Sequence, residues 1–350
     1  MSLVPASPIS CARRPLLIFH ALAGDLLMAV PMLRFLRERY GPDIPLVCGT
    51  EPEHQIIFRQ VGFANLHPRE FWVRDLLPGE AVAIPADWCF DVDSVLSLAA
   101  DCDLFINPTQ GCGTAFSTIA SKLQLPSIGY HENADLKISL HDMLGHMVEQ
   151  FFQFAQAIHA SAYINDFAYF PHRTDAENIR AVVREEVGQG GRLVVIHADT
   201  KVDKMWPIEH WSAWLKMLWA DEPETHVLLL GYPAIPIENY AVDLRLHDCR
   251  NLPLTVNYEI AAMADLFVGV DSCMLHAADL CRVPSVGIMT HGYWPANFGM
   301  RFADGECLAG ANPPADISTE AVWQVYCRVR NRQWRSRAIQ AWVMPDEAAG

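Results

Sequence analysis

Short apolar runs recur along this chain, each followed by a turn and then a stretch with helical spacing. That alternation restricts the fold to parallel sheets covered by helices on both faces. The runs are rich in branched side chains, as in Val194, Val195 and Ile196, and read as strands buried on both faces. Leu16–Phe19 opens the series and leads into a helix ending near Tyr40, with Leu26, Val30, Leu33 and Leu36 at helical spacing. Ile44–Cys48 precedes the helical stretch His54–Val61. Asp103–Ile106 precedes a polar loop, NPTQGCGT, and the stretch Ala115–Leu123. Pro126–Tyr130 ends at His131, Glu132 and Asn133. The pattern lapses between Pro171 and Gly191, then restarts with Leu193–His197, Val227–Leu230, a short strand near Asn251–Leu252, Leu266–Val270 and Pro284–Met289. A last helix runs from Thr319 to about Val343. The expectation is an α/β protein of two doubly wound domains with a cleft between them: residues 1–172, a linker 173–191, residues 192–318, and a closing helix and tail over 319–350.

Bulk composition narrows the functional class. The chain has 350 residues, 51% of them hydrophobic and 19% charged, enough for two full cores and too apolar for disorder. A formal charge of −15, from 26 basic and 41 acidic residues, argues against broad nucleic-acid binding and against a strongly basic membrane face. The ten cysteines include no CxxC pair, and no His/Cys cluster has zinc spacing, so free thiols in a reducing cytoplasm and no metal centre are expected. Arg13 and Arg14 before LLIFHALAGDLLMAVPML imitate a secretory signal. Gly24, Asp25 and Pro31 interrupt that run, so it reads as a strand, a turn and a helix. No run suits a membrane span, which leaves a cytoplasmic protein with at most weak peripheral membrane contact.

Three places carry chemistry. In LVVIHADTKVDKMWPIEHW, from Leu193 to Trp211, a strand ends in a polar loop and a helix follows, with Pro207 at its start and Glu209 just inside it. Thr200, Lys201 and Lys204 therefore stand at the carboxyl edge of a sheet facing a helix start, where anions bind. Lys201 reads as a solvated charge and Lys204 as the phosphate ligand, while Trp206, Trp211 and Trp214 pack the helix on the sheet. In VGVDSCMLHAADL, the strand Leu266–Val270 delivers Asp271 and Ser272 to a helix beginning near Cys273, with His276 one turn in. Its free amides and partial positive charge suit a pyrophosphate. In Ala23-Gly24-Asp25, Asp25 opens a helix and is either its cap or a general base. Asp271 or Ser272 as a cap and His276 as a satisfied helix histidine are the plainer alternatives for the second place.

At these residues the chain resembles glycosyltransferase family 9, the bacterial heptosyltransferases, most nearly the heptosyltransferase I group. The resemblance rests on Gly24, Asp25 and Pro31, on HADTKVDKMWP, and on Asp271, Ser272, Cys273, His276, Ala277 and Ala278, across roughly residues 15 to 300. It implies a GT-B fold of two Rossmann-like domains and an inverting, metal-independent transfer without a cofactor. Asp25 would be the base on the acceptor hydroxyl. Thr200, Lys204 and the loop Asp271, Ser272, Cys273 with His276 would hold the nucleotide diphosphate, usually of ADP-L-glycero-β-D-manno-heptose. Glu238 stands for the family's ribose glutamate, with Gly231 and Leu254 also on the nucleoside side. Gly24, Asn107, Thr109, Gln110 and His131 are the acceptor-side candidates. Two departures stand out: Cys273 replaces the family's glycine, and Arg59, Arg69, Arg74, Lys122 and Lys137 are scattered rather than clustered. A less anionic acceptor (a saccharide, a protein side chain or a small natural product) is therefore expected. A GT-B sugar-nucleotide epimerase or hydrolase, and a non-catalytic nucleotide-sugar-binding protein, share the same phosphate features.

Overall fold

Strands whose residues are buried on both faces build two parallel sheets. In the computed structural model the described residues are 7–69, 92–110, 113–138, 145–188, 191–232, 235–290, 294–310 and 314–343. The chain divides into two units, Met1–Pro171 and His172–Gly350. The first carries β1 (Pro15–Ile18), β2 (Leu46–Gly49), β3 (Leu66–Arg69), β4 (Leu104–Asn107), β5 (Ser127–Gly129) and β6 (Leu136–Lys137). The second carries β7 (Leu193–His197), β8 (His226–Leu230), β9 (Leu246–Asp248), β10 (Leu266–Val270), β11 (Ser285–Met289) and β12 (Gly305–Ala309). Both are six-stranded, ordered β3-β2-β1-β4-β5-β6 and β12-β11-β10-β7-β8-β9. In each unit the first strand is central and the order reverses beside it, the doubly wound Rossmann arrangement that places ligand sites at the carboxyl ends flanking the reversal. The reversal lies between β1 and β4 in one sheet and between β7 and β10 in the other.

Two expectations of local structure are corrected, and edge strands are added. The single helix expected after β1 is two, Ala23–Met28 and Val30–Tyr40, meeting at Ala29. Pro31 lacks an N–H and its ring crowds the carbonyl four residues back, so one helix cannot run through it. The strand expected near Asn251–Leu252 lies earlier, at Leu246–Asp248. Asn251 takes a left-handed φ of 64° and the chain turns there. The edge strands β3 and β12 were not foreseen, since LHPR carries a proline that an edge tolerates and GECLA alternates weakly. The loop residues Gly111 and Cys112, Arg74 and the tail 344–350 lie outside the described residues. The described cysteines are free thiols, and no described helix is long and apolar enough to cross a membrane.

The second unit's core stacks its tryptophans. Trp206, Trp211 and Trp214 are buried among Val194, Ile196, Val268 and Ile288. They continue edge-to-face as far as Tyr326 of the helix Thr319–Val343, with ring centroids 5.0, 6.3 and 5.4 Å apart. The Trp206 indole N–H donates to the Ile317 carbonyl at 2.8 Å. Residues after Pro171 are tied down in the same unit: buried Glu259 accepts from the Arg173 amide at 2.7 Å and pairs with His172 Nδ1 at 2.8 Å. The segment 173–191 thus contains a helix, Ala176–Val187, attached to the helix Leu254–Ala262.

Glu222 joins the end of the helix Ile208–Asp221 to the last helix. Its carboxylate accepts from Arg330 at 2.6 Å, Arg192 at 2.8 Å and the Tyr326 hydroxyl at 2.9 Å. Burial alone would raise this carboxyl, but the hydrogen bonds from Arg330 and Arg192 outweigh it and hold it below the usual range. A depressed carboxyl contributes stability that is present above its unfolded pKa and lost as pH falls through the folded one. Glu222→Gln should therefore cost about 2 kcal/mol at pH 7 in urea unfolding, and the gap between variant and wild type should narrow below pH ~4.

Candidate active site

Two loops at the reversal point of the second sheet converge. β7 and β10 are neighbours, His197 opposite Gly269, so the polar residues that follow each strand come together. The Lys204 ammonium donates to Asp271 Oδ2 at 2.6 Å, with the lysine side chain 27% and the aspartate 8% exposed. The Thr200 hydroxyl donates to the Asp271 carbonyl at 3.0 Å. Ser272 Oγ lies 3.0 Å from His197 Nδ1, and burial pushes that imidazole down to about 4, so it is neutral at pH 7. Lys201 is exposed.

Ser272 occupies the cap position of the helix Cys273–Leu280 without capping it, because its hydroxyl faces His197. No side-chain oxygen therefore caps this helix start, where the Leu275 amide donates to the Ser272 carbonyl and the amides at 273 and 274 face the weakly accepting Cys273 thiol, the setting in which a helix start holds a phosphate. Asp271 itself offers an anion only a carboxylate, so its part is to hold the Lys204 ammonium. Burial pushes the Cys273 thiol up to about 11, against hydrogen bonds from the backbone at 273 and 274 and from Tyr258. Cys273 is thus a neutral thiol beside the first turn. His276 is buried one turn further in.

The nucleoside-side candidates are spread along one flank. Gly231 follows β8 at φ 123°, where a Cβ would collide with Asp199 Oδ2. Glu238 is exposed in the short turn Ile237–Asn239, and Leu254 begins the helix Leu254–Ala262 half-buried. Asp199, which the sequence reading passed over, is buried next to Thr200. Its Oδ2 accepts from the Tyr232 amide at 2.7 Å, while Oδ1 has no hydrogen-bond partner among the described residues. Burial raises this carboxyl, opposed by the Tyr232 N–H and the Arg250 charge.

In the first unit the corresponding edge follows β1 and β4. Gly24 and Asp25 lie within the first turn of the helix Ala23–Met28, whose cap is Leu22. Asp25 is therefore not the helix cap, and its side chain is half-buried. Thr109 is structural in its contacts: its hydroxyl donates to the Ile18 carbonyl at 3.3 Å and accepts from the His20 amide at 3.0 Å. Asn107, fully buried, accepts from the Thr109 amide at 3.2 Å, and its Nδ2 has no partner among the described residues. His131 is 1% exposed, neither ring nitrogen has a partner among the described residues, and burial pushes it down to about 4. Gln110 is exposed. A surface hollow of about 590 Å³, lined by Ser7, Ser121, Gln124 and Asp135, lies at the amino end of β5 and contains none of these residues.

Residues 135–293 match the family model of glycosyltransferase family 9 (heptosyltransferase). The matched span includes Thr200, Lys204 and Asp271 to His276, and excludes Asp25. No curated protein matches the sequence. Among solved structures, a family 9 glycosyltransferase from Veillonella parvula is similar with a TM-score of 0.68 and 15% identity, over 91% of this chain and 97% of that one. The Escherichia coli ADP-heptose lipopolysaccharide heptosyltransferase II gives 0.60 and 14%, over 91% and 99%. E. coli heptosyltransferase WaaC with ADP gives 0.60 and 18%, over 90% and 99%. At these identities the likeness establishes a shared GT-B fold.

Gly231 provides a direct check on this geometry. Gly231→Ala combines a left-handed backbone with a collision at Asp199, and should destabilise the second unit by about 1–3 kcal/mol in urea unfolding.

Proposed function

We propose that this chain, whose residues 135–293 match the family 9 glycosyltransferase model, is an inverting, cytoplasmic glycosyltransferase that moves a sugar, heptose from an ADP-linked donor, onto an acceptor hydroxyl without a metal on the diphosphate. The observation that carries this reading is the convergence of the Lys204 ammonium, Thr200, Ser272 and the uncapped start of the helix Cys273–Leu280 at the ends of two adjacent strands. An E. coli heptosyltransferase of the same fold has been solved with ADP, which supports ADP as the nucleotide.

Asp25 takes the proton from the acceptor hydroxyl. The oxygen attacks the anomeric carbon opposite the diphosphate, the bond to the diphosphate breaks, and the configuration inverts. Charge grows on the departing diphosphate, so donors already fixed in place stabilise the transition state more than the ground state. Asp271 holds the Lys204 ammonium at the sheet edge where the phosphate binds. Asn107 and His131 supply neutral polar groups on the acceptor side, which suits an uncharged saccharide, a protein side chain or a small natural product better than a phosphorylated one.

A thermal-shift screen of nucleoside diphosphates tests the donor: ADP at about 100 times its Kd should add about 2.7 kcal/mol of stability, and equal shifts with every diphosphate would remove the adenine preference. Asp25→Asn should cut transfer at least about 100-fold while leaving ADP affinity near wild type; unchanged transfer would end the assignment of Asp25. Lys204→Ala should weaken ADP binding at least about tenfold by calorimetry, and unaltered affinity would make Lys204 an ordinary surface charge. Turnover of the sugar nucleotide without any acceptor would indicate a hydrolase or epimerase instead.

A further inference from the structure

The carboxyl edge of the first sheet also gathers two imidazoles and a carboxylate that the transfer reaction does not use. His20 follows β1, Glu51 stands at the cap position of the helix Pro52–Val61 that follows β2, with no capping bond from its side chain, and His54 lies in its first turn. β1 and β2 are parallel neighbours, so the loops leaving them stand side by side. One donor atom from each of the three residues lies within 4.8 Å of the other two, the one such cluster among the described residues. Glu51 Oε2 is 3.3 Å from His54 Nδ1, close to the roughly 3.4 Å that separates two ligands on a tetrahedral ion with bonds of about 2.1 Å. The His20 and His54 rings meet edge-on at 6.1 Å between centroids.

The backbone leaves room for this approach. Gly49 ends β2 directly beneath the cluster, and a Cβ there would lie 2.7 Å from His20 Nδ1 and collide with Glu51 Oε2. His20 is fixed from the other side, its amide donating to Thr109 Oγ1 at 3.0 Å. The cluster is therefore built on two strand ends and a helix start rather than on mobile loop tips, which is what a defined coordination geometry requires.

We propose that His20, Glu51 and His54 bind a divalent transition-metal ion of the zinc class at the carboxyl edge of the first sheet. Two imidazole nitrogens and one carboxylate oxygen are a borderline-soft set that suits zinc better than magnesium or calcium, which prefer oxygen. Three protein ligands leave a coordination position open for water or another oxygen ligand. A bound ion ties the loop that leads from β1 to Asp25 onto the start of the next helix. The site belongs to the first unit and asks nothing of the diphosphate ligands, so it does not depend on the transferase reading.

The test uses the full chain, stripped of metal by a chelator and titrated with Zn²⁺ alone in competition with a chromophoric chelator. No nucleotide or acceptor is present, so the outcome is separate from that of any transfer assay. The expected result is one equivalent per chain, a rise in unfolding temperature with Zn²⁺, and a visible absorption band on replacement by Co²⁺. His54→Ala, Glu51→Gln and Gly49→Ala, each confirmed as folded by circular dichroism, should each weaken Zn²⁺ binding at least about tenfold. Gly49→Ala removes no ligand atom, so its loss reports crowding of this cluster rather than of any other histidine. Absence of a Zn²⁺ equivalent in the wild type, or affinity and stoichiometry unchanged in all three variants, would overturn the proposal.

Discussion

A parallel strand buried on both faces can hold no unpaired polar side chain until it ends, and this constraint organises the molecule. Along β1, β4, β7 and β10 the residues are buried, and apolar except for Asn107 and His197 at the last positions of β4 and β7, so polar chemistry appears where each strand ends. Asp25 and Asn107 follow from the first sheet in this way, Thr200, Lys204, Asp271 and Ser272 from the second. The central place of the first strand in each sheet then decides which exits are neighbours.

At the second sheet that neighbourhood takes the form of the Lys204–Asp271 pair. A partly exposed pair of this kind contributes modestly to stability, but it restricts where the ammonium can point. With Ser272 turned to His197 instead of capping its helix, the pair leaves a fixed cation beside the amide donors of a helix start that no side-chain oxygen caps. Those donors stay oriented because the strands beneath them are clamped by the tryptophan stack and by Glu222 under the last helix.

The residues that the sequence reading singled out in the second unit were legible because their chemistry is local: HADTK and VDSC each place polar groups directly after an apolar run. Asp199 was passed over because a carboxylate in a polar loop looks solvated, and only its packing against Gly231 and the Tyr232 amide shows it buried. Asp25 is ambiguous in sequence between cap and base, since periodicity does not fix the first residue of a helix, and the structure places the cap three residues earlier, at Leu22. The misplaced strand near Asn251 and the helix break at Ala29 are errors of boundary, where a left-handed residue or a proline outweighs periodicity.

By itself the sequence determined the α/β class, the run of strands that begins each unit, the closing helix and the loops that carry polar chemistry. These depend on hydrophobic period and turn residues within a short window. The tertiary structure alone decided which loops meet. Lys204 finds Asp271 across 67 residues and Ser272 finds His197 across 75, while His20 reaches Glu51 and His54 from a different strand. Such contacts follow from strand order, a global packing solution that buries both faces of each sheet, and no local pattern of residues encodes it.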